Sequence, residues 1–481
     1  MRKFIIINFL VLSFTFSQES PSHISGDANF YYISKLEGGD IINLPYRMLN
    51  LSWGHQHEQF QISSKFAIEY KPQLNNYSFK MDNPQDFLVD LRELYMSWQL
   101  NFGEIRLGKQ IQTWGFVDEN SPLDNSSAYD YNFLFEAGTE RKIASNSMAI
   151  DMYYNNFKLG LTTTPFHSIN RLPSSHAEFP IDLPVTPNEY QFMDIEDVNE
   201  YGGYLQLNSD IADFALSYFS GYDRIYNLSG INIHETTGGE IYSEPDTVFS
   251  YRKTDVIGLS AQTFIGDISL RADFGYFDTK DQNKNVSRPY PNPPAFPFLK
   301  DELNRSTPIL EKSKYYQTTV QLEYTLPAEI NLFVQYFKHD TISYSADSPL
   351  EEGETIDIPL FQQIDGFNPY TYFYPGMGSP LALMTRNALL LGFDKSLNER
   401  FKVQFRNLVD MEYKGYFVEL VTDYRFTNKV TGNFAINYIS GDKNHPNSKS
   451  NKGSDYDRAL DYPLNQMEDF SHFRMQIKYS F

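Results

Sequence analysis

Residues 472–481 read HFRMQIKYSF. Phe473, Met475, Ile477, Tyr479 and Phe481 alternate with His472, Arg474, Gln476, Lys478 and Ser480. Successive side chains of a strand point to opposite faces, so the stretch has one apolar and one polar face. A soluble antiparallel sheet can show the same alternation. The rest of the chain has to decide between the two.

The pattern recurs. Phe60, Ile62, Phe66, Ile68 and Tyr70 stand opposite Gln61, Ser63, Lys65 and Glu69. Ile268, Leu270, Ala272, Phe274 and Tyr276 stand opposite Ser269, Arg271 and Asp273. The same holds over 315–326 and 415–426. Each segment is about 10–13 residues long, which suits a strand tilted across a bilayer. Tight turns (101–104, 155–156, 265–267, 327–329, 397–399, 427–429) alternate with long polar stretches (116–146, 166–197, 223–251, 278–313, 341–381, 441–467). Such stretches are foreign to a compact soluble domain but normal on one rim of an outer-membrane barrel. Eighteen strands are expected, among them 26–35, 104–115 and 383–396. The first and last of these are the weakest, which makes 16 the alternative. The fold class is therefore all-β, a transmembrane antiparallel β-barrel with long extracellular loops and short periplasmic turns.

The other end of the chain agrees. In MRKFIIINFLVLSFTFSQES, Arg2 and Lys3 precede a nearly unbroken apolar run from Phe4 to Phe16. This is the pattern of a secretory signal peptide cut after Ser17. The expected division is signal peptide 1–17 and one barrel domain 18–481. About ten residues separate the cut from the first strand, which disfavours a transporter with a folded plug. The 481 residues include no cysteine, so no disulfide framework holds the chain. Aromatic residues make up 16% (35 Tyr, 39 Phe), without the long aliphatic runs of a soluble core. A barrel needs only alternate apolar residues and aromatic girdles. The net charge of −21 argues against nucleic acid as a partner.

The terminal strand, with Tyr479 and Phe481, resembles the last strand of bacterial outer-membrane barrels. There it is read by the barrel-assembly machinery, so the resemblance implies that partner for Phe481, and outer-membrane lipid around the wall. A second resemblance lies in LRELYMSWQLNFGEIRLGKQIQTWGFVDENSPLD (91–124). Alginate-export-like and related porin-like barrels carry an R-E-x-Y strand, a tight turn, then R-x-G-[RK]-Q…W-G leading into an N-P-x-D-like loop. The matching residues are Arg92, Glu93, Tyr95, Arg106, Gly108, Lys109, Gln110, Trp114, Gly115 and Asp124. Ser121-Pro122 replaces N-P. The resemblance covers under a tenth of the chain and implies a passive channel or export porin without naming a solute.

In a barrel of this size the polar faces line water. Arg106, Gln110, Gln112, Arg271, Lys402, Arg406, Arg425, Arg474 and Lys478 are the candidate lumen residues. If their cationic members form a ladder, they attract an anionic solute; Glu419 and Asp423 lie among them. Trp114, Asp118 and Asp124 belong to the 116–146 loop, the candidate constriction. Lys109 sits on the apolar face with Ile105, Leu107 and Ile111, where a lysine costs about 2–4 kcal/mol at mid-membrane. A bulge at Gly108 would turn Lys109 inward but send Gln110 outward. No bulge is expected there, and Lys109 should reach for the nearer interface or a protein contact. Acidic segments 82–86, 194–200, 349–359 and 441–461 are candidates for Ca²⁺, without EF-hand spacing; solvated loops are the plainer reading. The Pro/aromatic segments 290–298 and 368–377 either constrict the lumen or pack on neighbouring loops. No nucleophile motif, zinc motif or P-loop is present, so neither an enzyme nor a resident cofactor is expected. The function expected is diffusion or export of a small hydrophilic, anionic or saccharide solute. The alternative is a surface-exposed binding barrel.

Overall fold

A computed structural model describes residues 22–71, 87–134, 136, 138–173, 187–195, 197–235, 246–289, 302–347, 373–412, 414–441, 464 and 467–481. The expected signal peptide, the acidic segments 82–86 and 349–359, most of 441–461 and all of 290–298 fall outside these residues.

Among them, 18 strands form one antiparallel sheet. In chain order these are β1 (His23–Lys35), β2 (Tyr46–His57), β3 (Phe60–Tyr70), β4 (Phe87–Leu100), β5 (Gly103–Gln110), β8 (Ser145–Tyr154), β9 (Phe157–Thr164), β10 (Glu200–Leu207) and β11 (Ala212–Tyr222). They continue with β14 (Lys253–Ile265), β15 (Ile268–Lys280), β17 (Lys312–Leu326), β18 (Ile330–Ser345), β19 (Asn387–Asn398), β20 (Phe401–Asp410), β21 (Tyr416–Arg425), β22 (Val430–Ser440) and β23 (His472–Ser480). β23 pairs with β1 from Lys35↔His472 to Asp27↔Ser480, which closes the barrel. Phe481 adds a last rung, exchanging backbone hydrogen bonds with Gly26 at 3.0 and 3.1 Å.

The outer face is apolar. Leu107, Leu216 and Leu259 are each more than half exposed, which is costly in water and ordinary in lipid. Phe60 stacks on Trp98 (5.6 Å) near the short-turn end, where an aromatic girdle belongs. A closed ladder with this coat is the architecture of a bacterial outer-membrane barrel.

Two sequence expectations need correction. The strand over 104–115 ends at Gln110, because residues 111–115 turn into the barrel. The 223–251 stretch is not plain loop. β12 (Asn227–Glu235) and β13 (Asp246–Ser250) pair there, and β16 (Glu302–Pro308) joins β12 in a separate three-stranded sheet; the short β6 (Ala128–Tyr129) and β7 (Lys142–Ile143) pair with each other after β5.

The β5 register explains Lys109. β5 pairs with β4 and β8 without a shift, placing Lys109 opposite the outward-facing Leu94. The irregularity lies in β4 instead: β3 pairs Lys65 with Glu93 and Phe66 with Leu91, leaving Arg92 as the extra residue. A bulge of this kind turns two consecutive side chains to one face, and both Arg92 and Glu93 are buried inside. Beside the bulge Lys109 Nζ donates to the Leu91 carbonyl at 2.5 Å, with Asp90 Oδ1 at 3.9 Å. The lysine stays on the outer face and satisfies its charge on the neighbouring strand. Gly108 permits this: its φ is +133°, and a Cβ would sit 2.4 Å from the Leu94 carbonyl oxygen. Gly108→Ala should lower the stability of the folded barrel by about 1–3 kcal/mol. Thermal conversion of the heat-modifiable band on gels measures this, and an unchanged midpoint would refute the strain.

Candidate functional site: a loop across the lumen

Residues 111–141 leave the top of β5 and cross the interior. At the near wall, Gln112 Nε2 donates to Ser147 Oγ on β8 and Thr162 Oγ1 on β9, both at 2.9 Å. Trp114 then packs on Tyr204 and Phe219 of β10 and β11, each with ring centroids 5.8 Å away.

At mid-lumen the loop hangs on one carboxylate. Asp273 of β15 accepts from Phe116 N (3.0 Å), Val117 N (3.1 Å) and Ser121 Oγ (2.7 Å). Gly115 makes this approach possible, since a Cβ there would lie 2.2 Å from Asp273 Oδ2. Further on, Gln321 Nε2 donates to Asp118 Oδ2 (2.8 Å) and Asn120 Nδ2 to Gln335 Oε1 (2.7 Å), reaching β17 and β18. Arg271 pairs with Asp118. Burial works to raise the Asp118 pKa, but the Gln321 amide and the Arg271 guanidinium outweigh it and hold the carboxyl below its usual range.

The returning half ties to the remaining wall. Tyr31 OH of β1 donates to Glu136 Oε1 (2.6 Å), and Arg474 Nη1 of β23 lies 3.8 Å from the same oxygen. Glu140 receives Arg47 of β2 (2.7 Å) and Arg92 of β4 (3.1 Å). Glu93 accepts from Ile111 N (3.1 Å), so the two bulge residues hold the start and the end of the same loop.

A second segment, Phe373 to Arg386, descends beside it. Gly378 N donates to Asn125 Oδ1 and Ser379 N to Gln317 Oε1, both at 2.8 Å. Arg252 caps Phe373, its guanidinium 4.8 Å from the ring centre. The described part of the 368–377 segment therefore lies inside the barrel and packs on the other loop. Tyr131, Leu134, Leu381 and Met384 join Phe337, Leu408 and Ile439 of the wall in an apolar core inside the long-loop half of the barrel.

Among the described residues, three cavities adjoin the loop. One cavity of about 280 Å³ lies against β1, β2 and β23, with Lys65, Glu136, Arg474 and Lys478 among its lining. Another of about 310 Å³ lies against β18–β21, with Asp118, Phe333, Arg406 and Glu419. Glu136 borders both, so these two flank the returning half of the loop. A third of about 310 Å³ sits below Trp114, between Arg106, Asp151, Lys158 and Tyr204.

The structure distributes the sequence candidates as follows. Arg106, Arg271, Lys402, Arg406, Arg474 and Lys478 all face inward, each with a carboxylate of this chain within 4.0 Å: Asp151 (2.9 Å), Asp118, Asp394 (3.0 Å), Glu419 (3.9 Å), Glu419 again (3.3 Å) and Asp27 (3.5 Å) respectively. Arg425 is exposed at the short-turn end. An uncompensated basic ladder is thus not formed. Gln110 and Gln112 are buried at the root of the loop rather than facing open water, because the loop folds over them. Trp114 anchors the loop to the wall. Asp124 is an internal brace, accepting from Trp114 N (2.8 Å) and from Lys142 Nζ (2.5 Å). Of the three loop candidates, Asp118 borders the cavity against β18–β21 and Trp114 the one beside Arg106. The acidic segment 194–200 supplies Glu200, which is taken by Arg224 at 2.7 Å and by His167 at 3.0 Å.

Sequence reasoning missed Glu136, Glu140, Arg47 and Arg92. Arg92 reads as outward under strict alternation; only the bulge brings it in.

No known protein family and no curated protein matches the chain. Among solved structures it is similar to OccAB2 of Acinetobacter baumannii, with TM-score 0.47 and 9% identity over 96% of this chain and 98% of that one. It is also similar to Pseudomonas aeruginosa OccK2 in complex with glucuronate (0.46, 10%, 96% and 98%) and to Salmonella typhi OmpF in complex with daunomycin (0.40, 10%, 96% and 97%).

Asp273→Ala removes the acceptor of three loop hydrogen bonds, each worth about 1.5–3 kcal/mol when charged. Single-channel recordings should show a larger, noisier conductance than the wild type; an identical trace would mean that the loop is held elsewhere.

Proposed function

We propose that the protein is a porin-like channel through which a small hydrophilic solute diffuses. The observation that carries this reading is the loop itself. It crosses the bore, is fixed to three arcs of the wall by side-chain hydrogen bonds, ion pairs and the packing of Trp114, and leaves charged cavities beside it. The acids Asp118, Glu119, Glu136 and Glu140 lie on the loop, while Arg47, Lys65, Arg406, Arg474 and Lys478 lie on the wall. A solute passing between them meets a field across its path, which orients polar groups without trapping a net charge. Because six of the seven basic candidates already have carboxylate partners, the geometry favours an uncharged, hydroxyl-rich solute of the saccharide class over a bare anion. The likeness of 91–124 to alginate-export-like barrels supports the channel reading, since that segment is the wall and root of the loop. The exposed ring of Phe481 beside the closing seam supports its role as the assembly signal.

The apolar core in the long-loop half favours a second reading, a binding barrel with a closed lumen. Planar-bilayer recordings separate the two: steady ohmic steps support the channel, and a silent, folded protein would sink it. In a salt gradient the reversal potential should show little anion preference. Arg406→Ala, which frees Glu419 in part, should move it toward cations, whereas loss of a strong anion preference on Arg406→Ala or Arg425→Ala would restore the ladder. Liposome swelling with sugars and with organic acids of equal size should be faster for the sugars.

A further inference from the structure

The outer rim at the long-loop end is uneven. Lys253 of β14, Lys280 of β15 and Lys312 of β17 stand in one file, Lys253↔Lys280 and Lys280↔Lys312 being direct cross-strand partners. Their sequence neighbours Thr254, Thr279 and Ser313 are buried on the inner side, so the lysines belong to the outer face. Lys314 follows on that face two residues along. One carboxylate, Asp278, serves both Lys280 (3.1 Å) and Lys314 (3.8 Å), and Lys253 lies over the Tyr222 ring at 4.6 Å.

Paired strands are about 5 Å apart, and like charges directly opposite one another weaken a ladder. Three in a row is an unfavourable choice in a chain with net charge −21. At the tops of β4, β10 and β21 the outward residues Phe87, Tyr201 and Tyr416 are uncharged, and Lys109 at the top of β5 stands alone with Asp90 beside it. Just below the file, Phe274 and Tyr316 stack at 6.1 Å on the outer face as part of an aromatic girdle. The lysines rise above that girdle by roughly 10 Å along a tilted strand, at headgroup height.

We propose that the file Lys253–Lys280–Lys312 binds the phosphate of an anionic lipid headgroup in the outer leaflet. A phosphate placed between the ammonium groups replaces their mutual repulsion with charge-assisted hydrogen bonds. The site lies outside the wall and does not depend on what the lumen conducts.

Native mass spectrometry of the full chain, folded in detergent, tests it with lipid A carrying two phosphates, the same lipid dephosphorylated, and inorganic phosphate. The phosphorylated lipid should be retained. The triple variant Lys253→Gln, Lys280→Gln, Lys312→Gln should weaken it on the order of 100-fold, and the corresponding triple arginine variant should keep it. If the glutamine triple does not fold, Lys312→Gln alone should lose roughly tenfold. Equal retention by wild type and glutamine variants, or equal binding of the dephosphorylated lipid, overturns the proposal. Complete displacement by inorganic phosphate overturns the lipid as its source.

Discussion

The pairing of β1 with β23 is the constraint on which everything else hangs. Hydrocarbon offers no partner to a free N–H or C=O, so the wall has to be an unbroken ladder. Once it closes, irregular backbone has only the two rims and the bore to occupy. Residues 111–141 and 373–386 go into the bore, and there their backbone groups must be met by wall side chains. This is why the inner faces of β15, β17 and β18 carry Asp273, Gln317, Gln321 and Gln335 at successive heights. Such residues look like generic pore lining, yet their hydrogen-bonding capacity is spent on the loops.

The same economy clarifies the R-E-x-Y…R-x-G-K-Q…W-G stretch. Arg92 and Glu93 clamp the two ends of the crossing loop, Gly115 lets it approach Asp273, and Trp114 nails it to β10 and β11. The Leu91 carbonyl beside the bulge is what receives the outward Lys109. A segment that reads as a motif for chemistry is a device for planting a loop, with its polar residues engaged by the chain itself.

How far the sequence could be read follows from this. The eighteen strands were legible because alternation is enforced by lipid on one side, and lipid tolerates few exceptions. Their outward residues were legible for the same reason, Lys109 included. The inner face was harder. Phe277, Tyr315, Phe337 and Ile439 point inward near the tops of their strands, where apolar residues occur on both faces and period-two reading loses its phase. The sign was present, since Phe277 follows Phe274 and Tyr276, and Phe337 follows Tyr336. It meant that the bore was filled there by protein. The partners of the basic residues were legible only in part: Glu419, already placed among them, meets Arg406 and Arg474, but Glu136 and Glu140 meet Arg474, Arg47 and Arg92 only through a loop whose path no local pattern dictates. The bulge at Arg92 hid one of those partners by shifting the phase of a single strand.

A closed sheet is a thin-walled tube, and the softest way to deform a thin-walled tube is to flatten its cross-section into an ellipse. The 111–141 loop touches β8–β11 on one arc, β15, β17 and β18 on a second, and β1, β2, β4 and β23 on a third. Flattening along any diameter would stretch or compress at least one of these attachments. The loop therefore acts as a spoke as well as an obstruction, and the bore keeps its shape when lateral pressure in the surrounding membrane changes.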